Sequence, residues 1–297
     1  MPIIEATSEA RPEVSIHYED TGGSGRPVVL IHGWPLSGAS WKGNVPAFQQ
    51  AGYRVITYDR RGFGQSEQPL TGYTYDHFAD DLAGLIDTLG LDDVTLVGFS
   101  MGGGEIARYI AREGESKLRS VVFASAVPPY LATTGDNPDG PLSKMEATKM
   151  TAGLTANRDK FMDAFTTDFF SANGTLMVTE EQRQEALALE SQASKPAELA
   201  SMAAFAFTDF RADLTHVTVP ALVIHGDADG TVPFEGSGAR THATLTGSQL
   251  HIVKDGPHGI NVSHEAEFNQ AVLDFLGQDT AGGDASASAR QPGTTTI

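Results

Sequence analysis

The sequence predicts an α/β fold in which a mostly parallel sheet is covered by helices on both faces and carries a helical cap. Three observations support this. Strand-like apolar runs alternate with helical patterns along most of the chain, the order in which βα units build a parallel sheet. Several runs, such as Pro27-Val28-Val29-Leu30-Ile31, are apolar at every position, as strands buried on both faces are. The alternation stops after Ala126-Val127-Pro128-Pro129 and resumes only at Pro220, which leaves a long insert as the expected cap. The chain of 297 residues then divides into a core over 1–126, a cap over 127–217, the rest of the core over 218–277 and a tail over 278–297. Such a length suits one α/β unit.

Taken in order, Val14-Ser15-Ile16-His17-Tyr18 alternates at period two and precedes the turn Thr21-Gly22-Gly23-Ser24-Gly25, which predicts an antiparallel edge hairpin. After Pro27–Ile31, Asn44-Val45-Pro46 reads as a capped helix start and Gly52 as its end. Tyr53 to Tyr58 is the next strand. The charges of Asp59-Arg60-Arg61-Gly62-Phe63-Gly64-Gln65-Ser66 are read as a structural network and not a phosphate loop, because no helix follows Gly64 directly. Phe78, Leu82, Leu85, Ile86 and Leu89 recur at helical spacing and predict a helix with one buried stripe. Val94 to Val97 and Leu118 to Phe123 are further buried strands, as are Pro220 to Ile224 and Leu250 to Val253. The insert holds Phe161, Phe165, Phe169, Phe170, Phe205, Phe207 and Phe210 of the chain's 15 phenylalanines. Most of these are expected to knit cap helices together, and some to line an apolar pocket. From Gln278 the tail lacks periodicity and apolar anchors, which predicts disorder.

Chemistry is concentrated where strands end. Gly98-Phe99-Ser100-Met101-Gly102 follows the Val94–Val97 strand and opens a helix, placing a serine at the centre of a tight strand-to-helix turn. Such a turn lifts the hydroxyl above the sheet and aims the first helix amides at whatever it attacks, which suits acyl transfer. A partner acid and base should follow on later strand ends. Of nine histidines, His258 in Pro257-His258-Gly259 follows the last strand, whereas His17 and His251 lie inside strands and His77, His242 and His264 in helical or flanking stretches. His32 and His225 follow strands too, but the glycine after each points to a loop brace. The loop His225-Gly226-Asp227-Ala228-Asp229 offers two acids. Asp229 is preferred, since Asp227, next to the strand-ending glycine, is placed to cap loop amides. Near the start, His32-Gly33-Trp34-Pro35 would bring the Trp34 amide beside that of Met101, a pair suited to an oxyanion.

Composition removes other classes. Twenty Lys and Arg against 38 Asp and Glu leave a net charge of −18, which argues against nucleic acid or an anionic membrane as partner. No cysteine is present, so disulfides, thiolate metal sites and a cysteine nucleophile are excluded. Met1-Pro2-Ile3-Ile4-Glu5 has no basic leader, and no run of about 18 apolar residues could span a bilayer. A cytoplasmic location is expected, and a homo-oligomer is left open.

His32-Gly33-Trp34-Pro35, Tyr58-Asp59-Arg60-Arg61-Gly62-Phe63-Gly64, Gly98-Phe99-Ser100-Met101-Gly102-Gly103-Gly104-Glu105, Val127-Pro128-Pro129-Tyr130, His225-Gly226-Asp227-Ala228-Asp229 and Pro257-His258-Gly259 occur in one order. Together they resemble the cofactor-free bacterial haloperoxidases and aryl esterases of the α/β-hydrolase superfamily, over roughly residues 14–277. The resemblance implies an α/β-hydrolase fold with an eight-stranded, mostly parallel sheet. It implies Ser100, Asp229 and His258 as nucleophile, acid and base, and the Trp34 and Met101 amides as the oxyanion hole. It further implies hydrolysis of small esters and perhydrolysis, with a small ester or carboxylic acid plus hydrogen peroxide as partners and with no metal or other cofactor. Pro35, Phe161, Phe165, Phe205 and Val232 are the candidate substrate-pocket residues. A lactamase or amidase using the same three residues, and a non-catalytic binding protein on the same scaffold, stay open. A serine at position 100 disfavours the aspartate-nucleophile dehalogenases and epoxide hydrolases.

Overall fold

The computed structural model describes residues 3–5 and 14–287. Its centre is an eight-stranded sheet in the order β1-β2-β4-β3-β5-β6-β9-β10, built from β1 (Ile3–Glu5), β2 (Ser15–Asp20), β3 (Pro27–Ile31), β4 (Arg54–Tyr58), β5 (Val94–Phe99), β6 (Leu118–Ala124), β9 (Ala221–Gly226) and β10 (Gln249–Val253). The six strands from β4 across to β10 pair in parallel, and β1 and β2 are antiparallel. The remaining two strands, β7 (Ser171–Ala172) and β8 (Thr175–Leu176), form a small hairpin in the cap.

Alternation along each parallel strand divides the interior into two cores. Val28, Leu30, Val97 and Val122 face α1 (Val45–Gln50) and α11 (Glu265–Ala287), packing with Phe48, Phe268 and Val272. Val29, Ile31, Leu96 and Val121 face α2 (Tyr75–Thr88) and α3 (Met101–Glu113), packing with Phe78, Leu82 and Ile106. Both faces need apolar side chains, which is why these strands read as unbroken apolar runs. The α2 stripe is buried at Phe78, Leu82, Leu85 and Ile86 as its spacing predicts.

The cap sits between β6 and β9 and contains α4 (Lys144–Ala156), α5 (Arg158–Phe169), α6 (Glu180–Glu190) and α7 (Lys195–Phe207). All four of these start on a side-chain cap; that of α5 is Asn157, whose Oδ1 accepts from Lys160 N at 3.0 Å. Ser143 with Glu146 and Thr179 with Gln182 form reciprocal capping boxes, and Ser194 caps α7 ahead of Pro196. The short α8 (Arg211–Leu214) leads back to the core, α9 (Gly238–Thr244) links β9 to β10, and α10 (Ile260–Ser263) precedes α11.

Three expectations are corrected. β2 makes no hairpin with β3: it pairs with β4, and β3 lies on the far side of β4. The wholly apolar β3 needs neighbours on both sides, whereas β2, with Glu19 exposed, tolerates a position near the edge. Asn44 does not cap α1; its Nδ2 donates to Asn261 O at 3.0 Å and Asn269 Oδ1 at 2.8 Å, so it ties α1 to the C-terminal helices. Where disorder is expected from Gln278, the chain continues α11 through Ala287, although Gly282 and Gly283 give this stretch a weak helix propensity of its own. The rest of the expected tail, 288–297, lies outside the described residues.

Candidate active site

Ser100 stands between β5 and α3 with φ 54° and ψ −116°, a left-handed geometry that a serine adopts only under constraint. The constraint is steric. A Cβ on Gly98 would lie 2.6 Å from Gly102 O, and one on Gly102 would lie 2.7 Å from Ile31 O, so neither flank admits a side chain. The backbone is pinned from below, where Ser100 N donates to Ala124 O at 2.8 Å.

The other two groups arrive because β9 and β10 are parallel neighbours in register, with Gly226 opposite Val253. Their outgoing loops therefore emerge side by side, although Asp229 and His258 are 29 residues apart. His258 Nε2 is 2.9 Å from Ser100 Oγ, and His258 Nδ1 is 2.7 Å from Asp229 Oδ2. Asp229 Oδ1 accepts from the amides of Thr231 at 2.9 Å and Val232 at 2.8 Å. Burial by itself would push the Asp229 carboxyl up, but the charge of His258 and hydrogen bonds from His225 and His258 outweigh it and hold the group well below the ordinary carboxylate range. Asp227 instead accepts from the Asp255 amide at 2.6 Å, the loop-capping part expected of it.

The β3 loop closes on the serine from the opposite side. A Cβ on Gly33 would meet Ser100 Cβ at 3.0 Å, so only glycine lets the loop approach this closely. Trp34 follows at once and Met101 follows the serine. Among the described residues neither backbone amide has a hydrogen-bond partner. His32 braces the loop from behind: its Nε2 accepts from Arg60 N at 2.9 Å, and burial followed by the Arg60 charge holds its imidazole well below the usual range.

Above Ser100 and His258 opens a cavity of about 420 Å³. Phe161, Phe165, Phe205 and Val232 line it with Trp34, whereas Pro35, although buried, is not in its wall. The direction of the chain explains this: Trp34 turns its ring up against Phe165 (5.1 Å between centroids) and Phe205 (5.7 Å), and its Nε1 donates to Glu198 O of α7 at 3.1 Å. Residues not anticipated include Leu131, Leu142 and Met150 in the wall and the exposed Glu146, Lys149 and Asp168. Glu146, Lys149 and Met150 recur at i, i+3 and i+4 on α4, a helical face that the sequence displays, but Leu131 and Leu142 sit in irregular chain with no periodic signal. Phe169, one of the seven phenylalanines of the insert and not a pocket candidate, packs edge-on against the His258 ring at 4.8 Å.

Among the described residues no group of three or more His, Asp or Glu is placed to hold a metal ion. No described helix is long and apolar enough to cross a membrane.

The α/β-hydrolase-fold family profile matches residues 26–265. A non-heme chloroperoxidase of Kitasatospora aureofaciens is 40% identical over 270 residues, covering 90% of this chain and 97% of that protein. A bifunctional esterase/perhydrolase of Acinetobacter calcoaceticus is 35% identical, covering 89% and 96%. Among solved structures, a bromoperoxidase from Bacillus anthracis superposes with a TM-score of 0.89 at 49% identity, over 93% of this chain and 99% of that one. The fold, the order of the strand-end motifs and these relatives agree: the chain belongs to the α/β-hydrolase family, in the company of its non-heme haloperoxidases.

Proposed function

We propose that the protein is a serine hydrolase that transfers the acyl group of small esters through an acyl-enzyme, to water or to hydrogen peroxide. The observation that carries the reading is the unbroken Ser100–His258–Asp229 hydrogen-bond chain, 2.9 and 2.7 Å long, ending on a hydroxyl that faces an apolar cavity. His258 takes the Ser100 proton as Oγ attacks the ester carbonyl, and Asp229 fixes the imidazole tautomer and steadies the imidazolium. The amides of Trp34 and Met101 receive the oxyanion; one such donor is worth roughly 10²–10³ in rate. Collapse breaks the bond to the alkoxide, which leaves as the alcohol with the proton from His258. His258 then deprotonates water or peroxide for attack on the acyl-serine, which returns Ser100 and releases acid or peracid. Relatives named for chloroperoxidase and esterase/perhydrolase activity support the peroxide branch. The aromatic wall of Trp34, Phe161, Phe165 and Phe205 supports a small apolar acyl or aryl group and excludes water. A cytoplasmic location belongs to the same proposal.

The test is a panel of acyl esters and lactams assayed with and without peroxide on the wild type and on Ser100→Ala. Ester turnover, with peracid formed when peroxide is added, is expected from the wild type and from neither reaction in the variant. Turnover retained by a folded Ser100→Ala protein sinks the covalent route, and turnover of lactams alone replaces the ester reading.

A further inference from the structure

Asp229 has a second imidazole against it. His225, in β9 and fully buried, places Nε2 2.8 Å from Val232 O and 3.2 Å from Asp229 Oδ2. A carbonyl only accepts, so Nε2 carries the proton and shares it between the two oxygens. Nδ1 is buried with no partner and faces Gly238, where an added Cβ would lie 2.6 Å away, so a proton on that side would meet no acceptor. Four N–H groups thus converge on Asp229: two amides on Oδ1, and the imidazoles of His258 and His225 on Oδ2. Val232 takes part twice, its amide binding the carboxylate and its carbonyl binding His225, and its side chain lines the cavity.

Resting on the acyl-transfer reading above, we propose that His225 is a positioning residue for the reaction, its shared N–H fixing the Asp229 carboxylate to the cavity wall and drawing off part of the charge that would otherwise bind imidazolium at position 258. No other charged side chain among the described residues is bonded to Asp229, His225 or His258. The shell is otherwise aromatic, with Phe234 against His225 and Phe99 and Phe169 against His258. Asp168 and Lys149 line the cavity from the cap, Glu235 is exposed, and Arg240 on α9 turns to Asn137 and Gly236. With His225 removed, Asp229 holds protonated His258 more strongly, so the base becomes available only at higher pH.

The experiment uses His225→Leu, which lacks the donor, and His225→Gln, which keeps one, with Asp229 and His258 intact. Two readouts are taken: kcat/KM for an aryl ester against pH, and the titration of His258 followed by ¹⁵N NMR, which needs no turnover. For His225→Leu the acidic limb and the NMR midpoint are expected to move up by about half to one pH unit, with kcat falling more than KM rises, and His225→Gln is expected to lie closer to wild type. Profiles and midpoints of both variants that superimpose on wild type overturn the proposal. An NMR shift in a protein that is inert towards every ester upholds the part played by His225 and removes the hydrolase reading.

Discussion

The loop after β4 and the loops after β9 and β10 both bury charge at the carboxyl edge of one sheet, and they do opposite things with it. In the first, Arg60 and Glu105 have no exposed side-chain surface. Arg60 Nε meets Glu105 Oε2 at 2.7 Å and its Nη2 meets His32 O at 2.9 Å, while Tyr58 donates to the other carboxylate oxygen and Phe78 covers the guanidinium. Arg61 and Asp81 repeat the pattern with two parallel bonds of 2.6 Å. None of these side chains lines the cavity above Ser100. In the second, the chain of bonds runs from Asp229 through His258 to a hydroxyl that opens on empty space. Burial of charge therefore does not mark a site by itself; what does is a satisfied network with one end free for a reactant.

The comparison breaks most sharply under substitution. Ser100→Ala is expected to lower ester turnover by about 10⁴-fold or more with unfolding unchanged, since the serine contributes to reaction and not to packing; steady-state rates beside a thermal melt check both halves. Glu105→Ala should do the reverse, costing about 3–5 kcal/mol of stability by leaving Arg60 buried and unpaired, as measured by denaturant unfolding. A loss below 1 kcal/mol would show that the closed cluster is not the structural support described here.

The cap adds a third buried charge that sharpens the contrast. Burial pushes the Glu190 carboxyl up to about 8, with Thr166 Oγ1 2.8 and 3.0 Å from its oxygens. The same hydroxyl lies 2.6 Å from Met162 O, so it can donate there only while accepting from a protonated Glu190. The folded-state value exceeds the unfolded one, so the stability contributed by the neutral form is complete below the unfolded value and is lost as pH rises through 8. Glu190→Gln should match wild type near the unfolded carboxyl value and exceed it in alkaline buffer by about 3–5 kcal/mol, read from melts across pH. Equal pH dependence in the two proteins would count against a neutral Glu190. The smallest effect is expected at the cavity wall: Phe161→Ala should shift kcat/KM towards bulkier acyl groups by about tenfold with the Ser100 relay intact, as a chain-length series would report.

How far these regions can be read from sequence follows from what determines each. The parallel strands, the turn at Ser100 and the order of Asp229 and His258 are local: apolar runs, two glycines that exclude a Cβ, and residues just past strand ends. The partner of β2 is not local, because only the demand of β3 for two neighbours sends β2 to β4. Asn44 carries the signature of a helix cap, yet two acceptors in the C-terminal helices, more than 200 residues away, take its side chain. Pro35 adjoins a pocket residue in sequence and misses the pocket in space, whereas Leu131 and Leu142 reach it from chain without a period. His225 had the right type and place to be noticed as a brace; that its proton is shared with Asp229 depends on a distance between loops.

The account as a whole rests on Ser100 becoming acylated. Treating the protein with a fluorophosphonate and mapping the adduct by peptide mass spectrometry tests this most directly. One adduct per chain on Ser100 is predicted, absent in Ser100→Ala and forming much more slowly in His258→Gln. Full ester turnover without that adduct, or with it on another residue, would contradict the account.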